Sequence, residues 1–148
     1  MFRDKRFGTN GRIPKQSKLP AAYTLSHERS LYLRLTSPHE YDETPEEFFE
    51  KIRLSTLSGR WAVASPLQPN ARNKMPDVVE TVRLFIRTFG PERVRVCFLV
   101  PNQAGDGKLS THALLDSLWK LSGVECISLD ARTKTRNGLV YADFFDYT

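Results

Sequence analysis

Long apolar runs are missing from this sequence of 148 residues. The longest uninterrupted run covers residues 96–100, far fewer than the roughly 18 residues that suggest a membrane-spanning helix. The charged N-terminal segment also lacks the apolar stretch that would follow it in a secretory signal peptide. We therefore expect an intracellular protein, cytoplasmic or nuclear, without a transmembrane segment.

Cysteine is scarce, and histidine is scarcely more common. Cys97 and Cys126 both fall in apolar, strand-like segments, where we expect small, reduced core residues. His27, His39 and His112 show no metal-ligand spacing with either cysteine. The sequence therefore predicts neither a metal site nor a cofactor.

A complete phosphate-binding loop is also absent, although residues 98–115 lead from an apolar strand through a glycine-bearing loop into a predicted helix. A P-loop needs a glycine at the position of Asn102 and a hydroxyl at the position of Leu109. A dinucleotide-binding G-x-G-x-x-G would need a third glycine in place of Ser110. Two interpretations remain: Lys108 and Ser110 bind an anion at the helix start, or Ser110 simply caps the helix.

Other catalytic patterns are incomplete as well. Asp77, Asp106 and Lys108 resemble the spacing of metal-dependent nucleases, but Asp77 is expected in the first turn of a helix, where its charge suits the macrodipole. Asp130, near the end of a predicted strand, could act as a base, yet a single acid without a partner does not make a mechanism. These gaps favour a binding protein over an enzyme.

The excess positive charge is concentrated in residues 1–18. The net charge of the sequence is +5, from 22 Lys and Arg residues and 17 Asp and Glu residues. Six of the basic residues and one of the acidic residues lie in this segment, so the rest of the chain contains 16 basic and 16 acidic residues. The six basic residues are Arg3, Lys5, Arg6, Arg12, Lys15 and Lys18. The segment is also rich in Gly, Asn, Ser and Pro. This composition predicts a flexible basic arm over residues 1–24. Such an arm suits a polyanion, because each cation that neutralises a nucleic-acid phosphate releases a counterion; the alternative is a solubilising terminus.

Residues 25–148 are predicted to form one compact domain. Alternating apolar residues indicate a half-buried strand at 31–36. Thr44 and Glu47 form a capping-box pattern that predicts a helix from residue 45, which Gly59 ends. A short strand at 61–65 follows.

The next helix has the clearest periodicity in the chain. Pro76 opens it, apolar residues recur at helical spacing, and Gly90 closes it. Arg83 and Arg87 lie on the opposite side. A basic amphipathic helix can bind an acidic membrane surface, but one continuous apolar face favours a core helix.

The last third of the chain resembles a βαβ unit. Strands are predicted at 94–100 and 124–130, with a helix over about 110–121 between them. Asn137-Gly138 then predicts a C-terminal hairpin, because both residues tolerate positive φ. The predicted order is β-α-β-α-β-α-β-β, a layered α/β (or α+β) sandwich behind the basic arm.

A second basic cluster accompanies the predicted hairpin. On an extended segment Arg132, Lys134 and Arg136 would project from the same side. They would form either a small phosphate-contacting surface or a charged edge strand protected against aggregation. The four aromatic residues between 141 and 147 could stack on nucleic-acid bases or close the core.

Three hypotheses follow. The leading one is a non-enzymatic polyanion-binding protein that contacts RNA or DNA phosphates through the arm and then through residues 132–136. The second is a self-associating structural assembly protein, such as a virion matrix or nucleocapsid-associated component, whose arm touches nucleic acid or acidic lipid. The third is a small α/β enzyme that acts on a phosphorylated ligand at residues 102–110, with Asp130 as the base.

Overall fold

The structure, a computed structural model, describes residues 21–26, 29–56, 59–101 and 111–146. These residues form five strands and four α-helices, a mixed α and β fold. The chain divides between Thr81 and Val82 into two compact units, which we call the N-terminal and C-terminal units. The helix over residues 78–89 crosses this division. The prediction of a single domain over 25–148 stays a prediction. In the described ranges no helix has the length and apolarity to span a membrane.

The N-terminal unit contains a three-stranded sheet. Strand β1 (Ala21–Ser26) pairs antiparallel with β2 (Arg29–Leu33), and β2 pairs parallel with β3 (Arg60–Ala64). Residues 21–24 were assigned to the flexible arm, which was wrong, because their backbone pairs with β2. Residues 1–20 lie outside the described part of the chain.

Strand β2 is more deeply buried than its alternating sequence predicts. Leu31, Tyr32 and Leu33 are all buried. The strand has a partner on each side in the sheet, β1 and β3. The prediction of a half-buried strand was therefore wrong at these residues: the tertiary environment covers both faces of β2, as in a central strand.

Helix α1 (Pro45–Ser55) connects β2 to β3 and begins where the sequence predicts. The Thr44 hydroxyl accepts a hydrogen bond from the Glu47 N–H at 3.3 Å, and the Glu47 carboxylate accepts one from the Thr44 N–H at 3.0 Å. Phe48, Phe49 and Ile52 are buried and form its core face. The predicted capping box is confirmed, but the helix ends at Ser55 and not at Gly59 as predicted.

Helix α2 (Val78–Phe89) is capped by the residue before it. The Asp77 carboxylate accepts a hydrogen bond from the Glu80 N–H at 2.9 Å. At the other end, Gly90 has a φ of 55° and donates its N–H to the Ile86 carbonyl at 2.9 Å. A glycine adopts this left-handed conformation without steric cost, which explains the predicted helix end.

The C-terminal unit contains the predicted βαβ unit. Strands β4 (Val94–Val100) and β5 (Val124–Asp130) pair in parallel over their whole length, and helix α3 (Thr111–Trp119) connects them. The predicted βαβ order and both strand ranges are confirmed. Because the strands are parallel, their carboxyl ends lie at the same edge of the sheet.

The C-terminal hairpin was wrong: residues Lys134–Asp146 form a helix, α4. Neither Asn137 nor Gly138 has a positive φ. The Asn137 N–H donates to the Thr133 carbonyl at 3.0 Å, as in a first helical turn. The observed order over the described residues is therefore β-β-α-β-α-β-α-β-α, in place of the predicted one.

Candidate functional site

A cleft of about 460 Å³ lies at the carboxyl ends of β4 and β5. In open parallel sheets, ligands bind beyond this edge of the strands. The cleft has an apolar wall from the two strand ends and polar groups from β5 and the turn after it. Its lining residues are Val100, Pro101, Ser128, Leu129, Asp130 and Arg132.

A closed ion pair occupies the polar side of the cleft. The Arg132 guanidinium donates from Nε to Asp130 Oδ1 and from Nη2 to Oδ2, both at 2.9 Å. The Arg132 backbone N–H also donates to Oδ1 at 3.0 Å. These hydrogen bonds hold the pKa of Asp130 below its usual value. A carboxylate of lowered pKa that is already bonded through both oxygens is a weak general base, so this geometry does not favour the predicted enzyme.

The turn from the cleft into α4 is tied to one carbonyl group. The Asp130 carbonyl oxygen accepts hydrogen bonds from the Thr133 N–H at 3.0 Å, the Thr133 hydroxyl at 2.9 Å and the Asn137 side-chain amide at 2.8 Å. Asn137 is buried. The start of α4 is therefore held directly beside the end of β5.

The predicted basic cluster has a different geometry from the one expected. Arg132 precedes α4, while Lys134 and Arg136 belong to its first turn. The prediction of an extended segment was therefore wrong, because a helix begins at Lys134. Arg136 is exposed, and a phosphate contact by this cluster stays a prediction.

The remaining predicted binding residues lie outside the described part of the chain. These are the six basic residues of the arm and the anion-binding candidates Lys108 and Ser110. Their roles stay predictions. Asp77, the first acid of the nuclease-like pattern, is the N-cap of α2.

The two cysteines are only partly buried, in place of the core positions predicted for them. Both are free thiols, and burial raises the pKa of Cys97 and of Cys126. Within the described ranges, no group of three His, Cys, Asp or Glu side chains is placed to hold a metal ion.

Sequence inspection missed a cluster of charged and aromatic side chains on the β4–β5 sheet, which we call the arginine cluster: Arg93, Arg95, Glu125 and Phe144. Arg93 Nη2 donates to Glu125 Oε1 at 3.0 Å, and Arg95 donates to Oε2 from Nη2 at 2.7 Å and from Nε at 3.1 Å. Both guanidinium groups lie over the Phe144 ring, 5.1 Å (Arg93) and 4.4 Å (Arg95) from its centroid. Hydrogen bonds from Arg95 and Arg93 lower the pKa of Glu125.

The arginine cluster depends on strand register. Arg95 and Glu125 are paired residues of the parallel ladder, 30 positions apart in sequence. The i, i+2 spacing of Arg93 and Arg95 at the start of β4 was the only local signal. The carboxylate and the ring become visible as partners only when β5 and α4 have been placed.

The N-terminal unit holds a buried ion pair that we interpret as structural. Arg34 donates through Nη1 to Glu43 Oε2 at 2.5 Å and through Nε to the Thr36 carbonyl at 2.9 Å. Lys51 donates to Glu43 Oε1 at 2.6 Å. Burial acts to raise the pKa of Glu43, but the hydrogen bonds from Arg34 and Lys51 outweigh it and lower that pKa.

The Tyr32 hydroxyl is buried without a hydrogen-bond partner among the described residues, and burial raises its pKa to about 12.

His39 is the other buried polar group of this unit. It is fully buried. Its Nε2 lies 2.8 Å from the Pro76 carbonyl, which only accepts, so Nε2 carries the proton. Its Nδ1 then accepts from the Ser37 hydroxyl at 3.0 Å. Burial lowers the pKa of His39, so the imidazole is neutral and joins two loops rather than serving a ligand.

Comparisons of the chain with protein families, with curated proteins and with solved structures find no match.

Proposed function

We propose that this protein binds the phosphates of a nucleic acid, with RNA as the first candidate, through the basic residues of segment 1–18 and without catalysing a reaction. One observation carries the proposal. The whole formal excess of +5 lies in that segment, and the other 130 residues contain equal numbers of basic and acidic side chains. A neutral body with one concentrated cationic segment suits an electrostatic contact with a polyanion.

Residues 132–136 supply a weaker second contact in this proposal. Arg136 is exposed, and 78% of the Arg132 side chain is exposed. However, Arg132 is already paired with Asp130, so a phosphate must compete with that carboxylate. We therefore expect this cluster to add less affinity than the arm.

The test is fluorescence anisotropy with a single-stranded RNA oligonucleotide across a salt series. One variant replaces the six basic residues of the arm with Gln or Ser, and a second replaces Arg132, Lys134 and Arg136 with Gln. Neutralising the arm is expected to weaken binding and to reduce the slope of log affinity against log salt by at most about 4, using roughly 0.7 per phosphate contact on a single strand.

A matched control separates a local contact from a loss of overall charge. It replaces three exposed basic residues elsewhere, Arg53, Arg87 and Lys120, with Gln. The proposal is wrong if wild-type protein does not bind at low salt, or if neutralising the arm leaves affinity and salt slope at the wild-type values.

The cleft favours a second candidate function, the binding of a small phosphorylated ligand. It combines an apolar wall with Ser128 and the Asp130–Arg132 pair at the carboxyl ends of two parallel strands. Calorimetric titration with a nucleoside monophosphate tests this candidate. Binding that Arg132→Gln abolishes would support it, and a wild-type titration without measurable heat at millimolar ligand would exclude it.

A further inference from the structure

We propose that the arginine cluster is a further, preformed phosphate contact for single-stranded nucleic acid, placed on the β4–β5 sheet by Arg93 and Arg95. The proposal rests on the proposed function, namely that this chain binds nucleic acid. It adds a fixed site in the described part of the protein.

Both arginines keep hydrogen-bond donors that the described residues do not use. A guanidinium group carries five N–H donors. In the contacts made by the described residues, Arg93 uses only Nη2 and Arg95 uses only Nε and Nη2, all toward Glu125. Nη1 of both arginines and Nε of Arg93 therefore keep their capacity to donate to an incoming phosphate.

Both guanidinium groups are preorganised. The Phe144 ring and the Glu125 carboxylate hold both guanidinium groups in defined positions. The Arg95 side chain is 19% exposed and that of Arg93 is 35% exposed, so both groups are partly ordered and still reach solvent. An arginine that is already ordered loses less conformational entropy when it binds a phosphate.

The arginine cluster carries a local positive charge. Two guanidinium groups share a single carboxylate, which leaves one net positive charge at the cluster. Glu125 has two opposing effects, because it orients the arginines and also competes with a phosphate for their donors. Bases of single-stranded nucleic acid stack on aromatic rings and on guanidinium planes, so two guanidinium groups held in place favour nucleic acid as the phosphate source.

Because of this competition, replacing Glu125 and replacing the two arginines are expected to change the affinity for RNA in opposite directions. Glu125→Gln keeps a carbonyl acceptor for the arginines but removes the negative charge, so it is expected to tighten binding of a single-stranded RNA several-fold. Arg93→Gln with Arg95→Gln is expected to weaken binding and to reduce the salt slope by roughly 1.4, at about 0.7 per phosphate contact. A purely structural cluster predicts no gain of affinity for Glu125→Gln.

Glu92→Gln is the matched control, because it removes an exposed acidic charge beside Arg93. An equal gain of affinity for Glu92→Gln and Glu125→Gln would overturn the proposal, since it would show a general charge effect. So would unchanged binding in the Arg93 and Arg95 variant. Unfolding curves check each variant, and Arg93→Gln alone, which loses a single hydrogen bond, replaces the double variant if that one does not fold.

Repeating the measurement with the arm neutralised separates the two proposals. If the arm is the only contact, neutralising the arm abolishes RNA binding. In that case Glu125→Gln does not increase the affinity of the protein with the wild-type arm. If the cluster binds and the arm does not, neutralising the arm leaves affinity unchanged while Glu125→Gln still increases it.

Discussion

His39 connects two loops of the N-terminal unit through both ring nitrogens and its backbone carbonyl. Besides the Pro76 and Ser37 hydrogen bonds, its backbone carbonyl accepts from the Asn73 side-chain amide at 2.7 Å. A neutral imidazole satisfies this arrangement, since one nitrogen must donate and the other accept. A protonated ring would carry its charge into a site without solvent, which costs free energy.

We therefore expect acid to destabilise the protein through His39. The pKa of His39 in the folded state lies below its ordinary value of 6.5, so the unfolded chain binds the proton more readily, and stability falls as the pH decreases below that value. The free energy of unfolding, measured by urea titration between about pH 7.5 and 5, should decrease. In His39→Gln, which keeps a donor but does not titrate, this decrease should be smaller; an equal decrease in both proteins would contradict the assignment.

The buried pair of Arg34 and Glu43 gives a second prediction at this scale. Glu43→Gln leaves a buried guanidinium without its full counter-charge and should cost about 3 to 5 kcal/mol of unfolding free energy. Replacing both residues with Met should cost less than this single change, because no charge then stays buried and unpaired. Urea denaturation of Arg34→Met, Glu43→Met and the double Met variant measures the coupling, and additive losses would argue against the pair.

At the scale of elements, α4 is the informative helix because two signals in its sequence conflict. Asn137-Gly138 favours a tight turn, whereas Asn137, Tyr141 and Phe144 have the i, i+4, i+7 spacing of a helical face. In the observed helix the Asn137 amide donates to the Asp130 carbonyl at 2.8 Å. This hydrogen bond favours the helix over the local turn preference.

Asn137→Gly distinguishes the helix from the hairpin experimentally. Glycine is well tolerated in a type I′ turn, but in α4 it loses the side-chain hydrogen bond and has a helix propensity about 1 kcal/mol below alanine. We expect a loss of about 1 to 3 kcal/mol in thermal or urea unfolding. Leu139→Ala, at an exposed position of α4, is the control and should change stability by no more than about 0.5 kcal/mol.

The accuracy of the sequence predictions follows from how local each signal is. Helix α1 was predictable because Thr44, Pro45 and Glu47 specify its start within four positions of one another. Strands β4 and β5 were predictable from short apolar segments. Strand β1 was missed because its stability comes from backbone pairing with β2 rather than from its own composition, and the site at Arg95 was missed because its partner Glu125 is set by register.

At the scale of the whole molecule, the excess of positive charge lies in residues 1–18, before Ala21, the first described residue. The observed pairing of β1 moves the boundary of the arm from residue 24 to a position before Ala21.

Two truncations test this boundary. Removing residues 1–26 should lower the thermal unfolding midpoint more than removing residues 1–20, because only the longer deletion takes away β1 and exposes one edge of β2. The comparison uses differential scanning calorimetry at equal protein concentration. Equal midpoints for the two truncations would show that β1 contributes nothing to the stability of the unit.

The Asn137-Gly138 pair in α4 has a further consequence, for the chemical ageing of the protein. Asparagine before glycine loses its amide when the next backbone nitrogen attacks the side-chain carbonyl, and this attack needs a backbone shape that a helix does not adopt. The side chain is also held by the Asp130 carbonyl. Deamidation must therefore wait for local opening of the helix, so the slow appearance of aspartate at position 137 in stored protein would record how often α4 unwinds.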